Sequence, residues 1–271
     1  MPDSDFFFAV LADPQLGYWA PNEFPHEEAI SRLAIAELKR LGPRFAVVCG
    51  DLINRDRNEI ETAAYNRLFG QLLPDIKLYN VAGNHDVNDE PGPSEQTLTF
   101  YRKHFGPNYY SFREGPLYGI VIDSTLMKHP KPSTAESERQ NDWFRAELNR
   151  AKLSGARHVT VFQHHPWYLW YAEEDDHYFN MPRSARAEFL PLMKASGVSH
   201  VFSGHYHGTR VTTYENSTQM VTTASVAIPL FLAESGIRFV TVRQGEVDHR
   251  YFDLGSIPRS IDLKQGFPKT Y

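Results

Sequence analysis

Phe6-Phe7-Phe8-Ala9-Val10-Leu11-Ala12-Asp13-Pro14-Gln15 is an apolar run of strand length that stops abruptly in an acid, a proline and an amide. The same grammar recurs down the chain. Phe45 to Cys49 runs into Gly50-Asp51, Leu78 to Ala82 into Gly83-Asn84-His85-Asp86, and Tyr118 to Ile122 into Asp123-Ser124. His158 to Phe162 leads into Gln163-His164-His165, and Val198 to Phe202 into Gly204-His205-Tyr206-His207. Between these runs apolar residues recur at threes and fours, roughly over Glu27–Leu41, Glu59–Leu72, Gln96–Phe105, Ser137–Leu153 and Ala185–Ala195, as amphipathic helices require. Pro25 near a helix start and the Gly42-Pro43 stop are fitting punctuation. Alternation of this kind predicts an α/β fold of βαβ units around a largely buried sheet. After Gly208 the pattern changes to short strands, Thr209–Tyr214, Thr218–Ala224, Gly236–Arg243 and Val247–Phe252, whose simplest arrangement is a second sheet meandering against the first.

A chain of 271 residues can bury one continuous core, so a single domain over 1–255 with a surface tail over 256–271 is expected. Hydrophobic residues at 41% and charged residues at 23% leave no room for long disordered tracts. The net charge of -5 argues against a nucleic-acid surface, which needs clustered Lys and Arg. The single cysteine, Cys49, forms no intramolecular disulfide. The N-terminal apolar run is short, lacks a basic flank and is broken by Asp13-Pro14, so neither a signal peptide nor a membrane span is expected, and the cytoplasm is the expected compartment.

The 12 histidines raise the question of whether they converge. In an open α/β sheet the carboxyl ends of the strands share one edge, where ligands bind. Asp13, Gln15, Asp51, Asn84, His164, His205 and His207 would then offer carboxylates, amide oxygens and imidazoles to one crevice, a set suited to divalent transition metals. Two ions about 3.5 to 4 Å apart need a ligand that reaches both, and a carboxylate does so best. Asp51, behind a glycine that permits a tight turn, is the expected bridge. Taken singly each motif has a plainer reading: Gly50-Asp51 as a turn, and Asn84-His85-Asp86 as an Asx turn. Of His164 and His165, one is expected to point into the crevice while its neighbour stays behind it. The ordered coincidence of all the motifs after strands outweighs these readings.

Asp13-x-Gln15, Gly50-Asp51, Gly83-Asn84-His85-Asp86, His164-His165 and Gly204-His205-x-His207 resemble the five ordered motifs of the calcineurin-like metallophosphoesterases. Asp13-Pro14-Gln15, Glu174-Asp175-Asp176-His177-Tyr178-Phe179-Asn180, Phe202-Ser203-Gly204-His205-Tyr206-His207 and His249-Arg250-Tyr251-Phe252 bring the chain nearer to the calcineurin-like phosphoesterase domain-containing serine/threonine-protein phosphatases. The resemblance implies a four-layer α/β/β/α sandwich, two mixed β-sheets flanked by helices. It also implies one metal held by Asp13, Gln15, Asp51 and His207 and a second by Asp51, Asn84, His164 and His205, with His85 as catalytic acid. Arg55 matches that branch's phosphate-gripping arginine, and His165 is a further candidate for substrate contact. Two positions depart from the pattern: Gln15 is a weaker ligand than the usual His or Asp, and Asn54 replaces the aspartate that orients the catalytic histidine. Asp86 is the candidate substitute for it.

The expected chemistry is hydrolysis of a phosphate ester by a hydroxide shared between two Mn, Fe or Zn ions, in preference to Mg. Asp51, Asn84 and His85 would carry the catalysis, and Arg55, Asn84, His85 and His165 the substrate. The expected substrate is a small phosphomonoester or a phosphoprotein, and the expected assembly a monomer or small homo-oligomer without nucleic-acid or membrane partners. The competing readings are a phosphodiesterase for cyclic nucleotides or glycerophosphodiesters, and a non-catalytic scaffold on the same fold. The segment from His165 to Phe179, aromatic and acidic, is expected to set specificity by stacking a nucleobase or packing a phosphopeptide side chain, or else to cap the core.

Overall fold

The computed structural model describes residues 5–267. Strands β1 (Phe6–Leu11), β2 (Phe45–Val48) and β3 (Lys77–Asn80) are separated by helices α1 (Pro25–Leu41) and α2 (Glu59–Phe69). Short α3 (Asn84–Val87) and α4 (Glu95–Phe105) lead to the hairpin β4 (Tyr110–Glu114) and β5 (Leu117–Val121). Then come α5 (Ser124–Lys128), α6 (Thr134–Leu153), β6 (His158–Phe162), α7 (Arg183–Ala195) and β7 (Val198–Ser203). Four strands close the fold: β8 (Arg210–Tyr214), β9 (Thr218–Thr222), β10 (Gly236–Val242) and β11 (Val247–Asp253).

These strands form two mixed sheets, ordered β11-β10-β1-β2-β3 and β4-β5-β6-β7-β9-β8. The expected division of the chain into an early sheet and a late one is therefore wrong. The first six predicted strands split three and three, and the late strands split two and two. The reason lies in β1, whose uniformly apolar sequence cannot be left as an open edge. With β2 parallel on one side, antiparallel β10 pairs on the other, Phe6 opposite Val242 through Val10 opposite Arg238. In the second sheet β9 continues the parallel run beside β7, and β8 returns antiparallel beyond it. Strand β4 escaped the sequence reading because its five residues alternate in polarity and sit between stronger signals; the Gly115-Pro116 turn folds it back on β5.

Period-2 alternation along β1 sorts its side chains into two cores. Phe6, Phe8 and Val10 face inward with Phe45, Val47, Phe162, Phe202, Val240 and Val242, filling the space between the sheets. Within that layer Phe8 stacks on Phe45 at 4.5 Å and meets Phe202 edge-on at 6.0 Å. Ala9 and Leu11 face outward against Ala34, Ile35 and Leu38 of α1 and Tyr65, Leu68 and Phe69 of α2. Helices α6 and α7 cover the other sheet through Phe144, Leu148, Phe189 and Met193. The order is helix, sheet, sheet, helix, the four-layer sandwich that the motif resemblance implied. Of the 256–271 segment, Ile257, Ile261 and Phe267 pack on the first helical layer. Residues 268–271 lie outside the described residues.

One polar island interrupts the layer between the sheets. Arg238, 3% exposed, donates to Thr223 Oγ1 at 3.0 Å, to the Thr222 carbonyl at 3.2 Å and to His249 Nδ1 at 3.0 Å. His249 in turn donates from Nε2 to Gln219 Oε1 at 2.9 Å, so this network requires a neutral ring. Burial and the nearby His158 lower the buried His200 to about 4, and burial with Arg238 and His200 lowers His249 to about 2. Both stay neutral in the fold while an unfolded chain binds protons below about 6.5. Stability is therefore fully present above that pH and is lost as pH falls towards the folded values. By pH 4.5 each ring is expected to cost about 2–3 kcal/mol. In urea titrations from pH 7 to 4.5, His200→Gln should remove that share of the acid sensitivity, and an unchanged slope would refute the assignment.

Candidate metal centre

All the candidate ligands lie just past the carboxyl ends of strands from both sheets: Asp13 after β1, Asp51 after β2, Asn84 after β3, His164 after β6, His205 and His207 after β7. Backbone bonds stitch these loops together. Asp13 N–H reaches the Gly50 carbonyl at 3.1 Å, Gln15 N–H the Asp51 carbonyl at 2.8 Å, and Gly204 N–H the His164 carbonyl at 3.0 Å. The carboxylates lock the remaining pairs, Asp13 accepting His205 N–H at 3.1 Å and Asp51 Oδ1 accepting His85 N–H at 3.0 Å. Asp13, Gln15, Asp51, His205 and His207 all hold left-handed backbone, with φ between 42° and 64°, strain that non-glycine residues carry mainly where function demands it. A side chain on Gly50 would overlap His164 Nδ1, and one on Gly83 would overlap the Asp51 backbone nitrogen, so both positions need a bare Cα.

The histidines are aimed. His164 bonds through Nδ1 to the Cys49 carbonyl at 2.9 Å, His207 through Nδ1 to the Ile228 carbonyl at 2.7 Å, and His205 through Nε2 to the Tyr178 carbonyl at 3.1 Å. Each outward nitrogen thus carries the proton, and the inward nitrogen turns its lone pair towards the other candidates. His164 Nε2 lies 2.8 Å from Asn84 Oδ1, 3.1 Å from His205 Nδ1 and 3.3 Å from Asp51 Oδ1, while His207 Nε2 lies 3.5 Å from Asp13 Oδ1. Two imidazole lone pairs at 3.1 Å repel unless a positive species sits with them. Burial would lower His164, but Asp51 and Asp13 outweigh it and raise it to about 9, whereas burial and His164 together hold His205 well below its ordinary value. The pair thus accepts one positive charge, and a divalent cation fits the same place. Among the described residues no guanidinium or ammonium group bonds Asp13 or Asp51, both buried. Two separate sets of ligand atoms lie within 4.8 Å of one another, Asp13 with Asp51 and His207, and His164 with His165 and His205. Gln15 gives Nε2 to Asn54 Oδ1 at 3.2 Å, and its Oε1 is buried without a partner. The donor set and the orphaned amide oxygen fit a pair of metal ions.

His165 departs from expectation, since both neighbours of the pair turn to the same cluster. Residues 163–166 have left the extended strand, so side-chain alternation no longer separates them. Ser124 Oγ holds His165 Nδ1 at 3.0 Å, and its Nε2 is buried without a partner beside His205. Asp86 does not substitute for an aspartate at position 54. Its carboxylate accepts from Leu52, Ile53 and Gly83 N–H at 2.9, 3.1 and 2.8 Å and ties the second motif to the third. His85 is oriented by backbone, Nδ1 on the Asn54 carbonyl at 2.8 Å, so the side chain at 54 is free to position Gln15. Arg55 is exposed, with its backbone N–H held by Glu61 at 2.9 Å. Asp123 lies outside the cluster, capping α5 through Leu126 N–H. Ser225, unmarked in the sequence, donates to the Asp13 carbonyl at 2.6 Å.

The aromatic and acidic segment caps a core at one end and lies against the candidate cluster at the other. Trp167 and Tyr168 pack into the core under α6 and α7, Leu169 is buried, and Tyr178 lies over His205 at 4.7 Å. Burial and the carboxylates of Asp89 and Asp51 push the Tyr178 phenol above its ordinary value.

The model of the calcineurin-like phosphoesterase family matches residues 8–209. The serine/threonine-protein phosphatase CPPED1 of Bos taurus is 32% identical over 268 residues, spanning 93% of this chain and 85% of the relative. Among solved structures, a dimetal phosphatase from Danio rerio superposes with a TM-score of 0.69 at 14% identity, over 92% of this chain and 96% of that one. The purple acid phosphatase PPD1 from yellow lupin (Lupinus luteus) seeds superposes at 0.67 with 13% identity, over 93% of this chain and 52% of that one.

Proposed function

The chain belongs to the calcineurin-like phosphoesterase family, whose enzymes are phosphoric ester hydrolases, and from that premise we propose that it is a two-metal phosphomonoesterase acting on phosphorylated protein side chains. The observation that carries this reading is the convergence of bare imidazole nitrogens on buried carboxylates, 3.3 Å for His164 and Asp51 and 3.5 Å for His207 and Asp13. One ion would rest on Asp13, Gln15, Asp51 and His207, the other on Asp51, Asn84, His164 and His205. The imidazoles favour Mn, Fe or Zn over Mg. Such a pair, when bound, supplies a water-derived nucleophile near neutral pH and offsets charge on the phosphoryl oxygens.

The protein's own groups do the rest. Asn84 Nδ2, buried and next to the Tyr178 hydroxyl, is a donor for a phosphoryl oxygen. His85 is half-buried, and with Nδ1 fixed by the Asn54 carbonyl its Nε2 is left to protonate the departing alkoxide. A phosphoprotein is favoured over a nucleic acid by the hollow beside Tyr178, where the carboxylates of Asp89, Glu90 and Asp176 outnumber the Lys128 ammonium and would repel a polyanion.

The test compares p-nitrophenyl phosphate with bis-p-nitrophenyl phosphate and a phosphoserine peptide, with manganese and after chelation. Metal-dependent turnover that is fastest on the monoesters is the expected result. Preference for the diester would replace the reading with a phosphodiesterase. Neither turnover nor bound metal would indicate a scaffold.

A further inference from the structure

The segment Glu174-Asp175-Asp176-His177-Tyr178-Phe179-Asn180 carries far more internal bonding than a surface loop needs. The Glu174 carboxylate accepts Leu169 and Trp170 N–H, each at 2.9 Å, and Asn180 Nδ2 at 2.8 Å. Asn180 Oδ1 takes His177 N–H at 2.9 Å. Arg186, 2% exposed, clamps the carbonyls of Ala172 and Glu174 at 2.7 and 2.6 Å. Lys128 donates to the carbonyls of His177, Tyr178 and Asn180.

What this platform presents is Tyr178, whose side chain is not sealed into the core but 52% exposed. Its carbonyl takes His205 Nε2 at 3.1 Å, which fixes the residue to the metal centre, and its ring rests on His205. Phe179 packs edge-on against Tyr206 at 5.3 Å behind it, which anchors the backbone next to Tyr178. The hydroxyl lies next to the Asn84 side chain, with the carboxylates of Asp89, Asp51 and Asp13 within electrostatic range. A buried network of this size costs side-chain entropy and desolvation to assemble, and here it holds one phenol at the mouth of the site.

We propose that Tyr178 is a substrate-contacting residue whose hydroxyl donates a hydrogen bond to a phosphoryl oxygen of the bound phosphate ester. The proposal rests on the phosphoesterase reading above. A donor of this kind needs no general-acid role, because it binds charge without passing on its proton. Removing it should weaken binding of ester and of product phosphate alike, by about tenfold or more, as for a hydrogen bond to a charged group.

The experiment uses the metal-loaded protein and Tyr178→Phe, which keeps the ring and its packing. Inorganic phosphate is titrated calorimetrically, KM and kcat are measured on p-nitrophenyl phosphate, and metal content is determined on the same samples. Support is a rise of about tenfold in phosphate Kd and in KM, with metal content and kcat near wild type. Phosphate affinity equal to wild type in a protein that does bind phosphate and turn over ester would overturn the proposal while leaving the phosphoesterase reading intact. Loss of metal in Tyr178→Phe would also overturn it, because the hydroxyl would then be serving Asn84. Wild-type protein that neither binds phosphate nor hydrolyses ester would remove the reading itself.

Discussion

Asp51→Ala is expected to leave the protein short of both metal ions and to lower turnover of p-nitrophenyl phosphate by well over 10²-fold, beyond the roughly 10- to 100-fold typical of losing an outer partner of a metal ligand. Asp51 is buried, stands in a left-handed conformation and reaches all four other motifs: His85 N–H at 3.0 Å, His164 Nε2 at 3.3 Å, and the group formed with Asp13 and His207. Burial pushes its carboxyl up, but His164 and His85 outweigh burial and hold it below the ordinary carboxylate range, so it is anionic where the cations belong. Asp51→Asn separates charge from shape, since an amide oxygen can still accept His85 N–H. If charge is what matters, the asparagine variant should lose metal almost as fully as alanine. Elemental analysis of protein prepared without chelator decides the point, and two ions per chain in either variant would end the bridging assignment.

Why the site could be read from the sequence, and where that reading fails, follows from what each kind of residue does. Asp13, Asp51, Asn84, His164, His205 and His207 were legible because each follows an apolar strand run, and strand ends in this fold share one edge. Sheet membership was not legible. The strand run Phe6–Leu11 says that both its edges must be covered, but nothing local says that β10, more than two hundred residues later, covers one of them. The positioning groups left almost no local trace, because they act through backbone atoms. The Asn54 carbonyl orients His85, the carbonyls of Cys49, Ile228 and Tyr178 set the three histidine tautomers, and Ser225 holds the Asp13 carbonyl. Asp86 was visible but misassigned for the same reason, since its partners are three backbone N–H groups. His165 shows the limit of alternation rules at a strand end, where one bend brings neighbouring rings into one cluster.

His85→Ala is the complementary case, a variant expected to keep its metal and lose its rate. The hydrogen bond between this residue and the ligands is its backbone N–H on Asp51 Oδ1, which alanine retains, whereas the imidazole hydrogen-bonds the Asn54 carbonyl. Metal content should therefore equal wild type. Turnover should fall by about 10²–10⁴-fold, the contribution typical of a general acid. The size of the loss should also depend on the leaving group. A p-nitrophenolate departs readily without a proton, while the alkoxide of phosphoserine does not, so the variant should be impaired far more on a phosphoserine peptide than on p-nitrophenyl phosphate. Equal impairment on both, with KM raised and kcat intact, would reassign His85 from proton donor to phosphate-binding group. Full activity on the peptide would remove it from the reaction altogether, and the proton for the leaving oxygen would then have to come from water or from another residue at the mouth of the site.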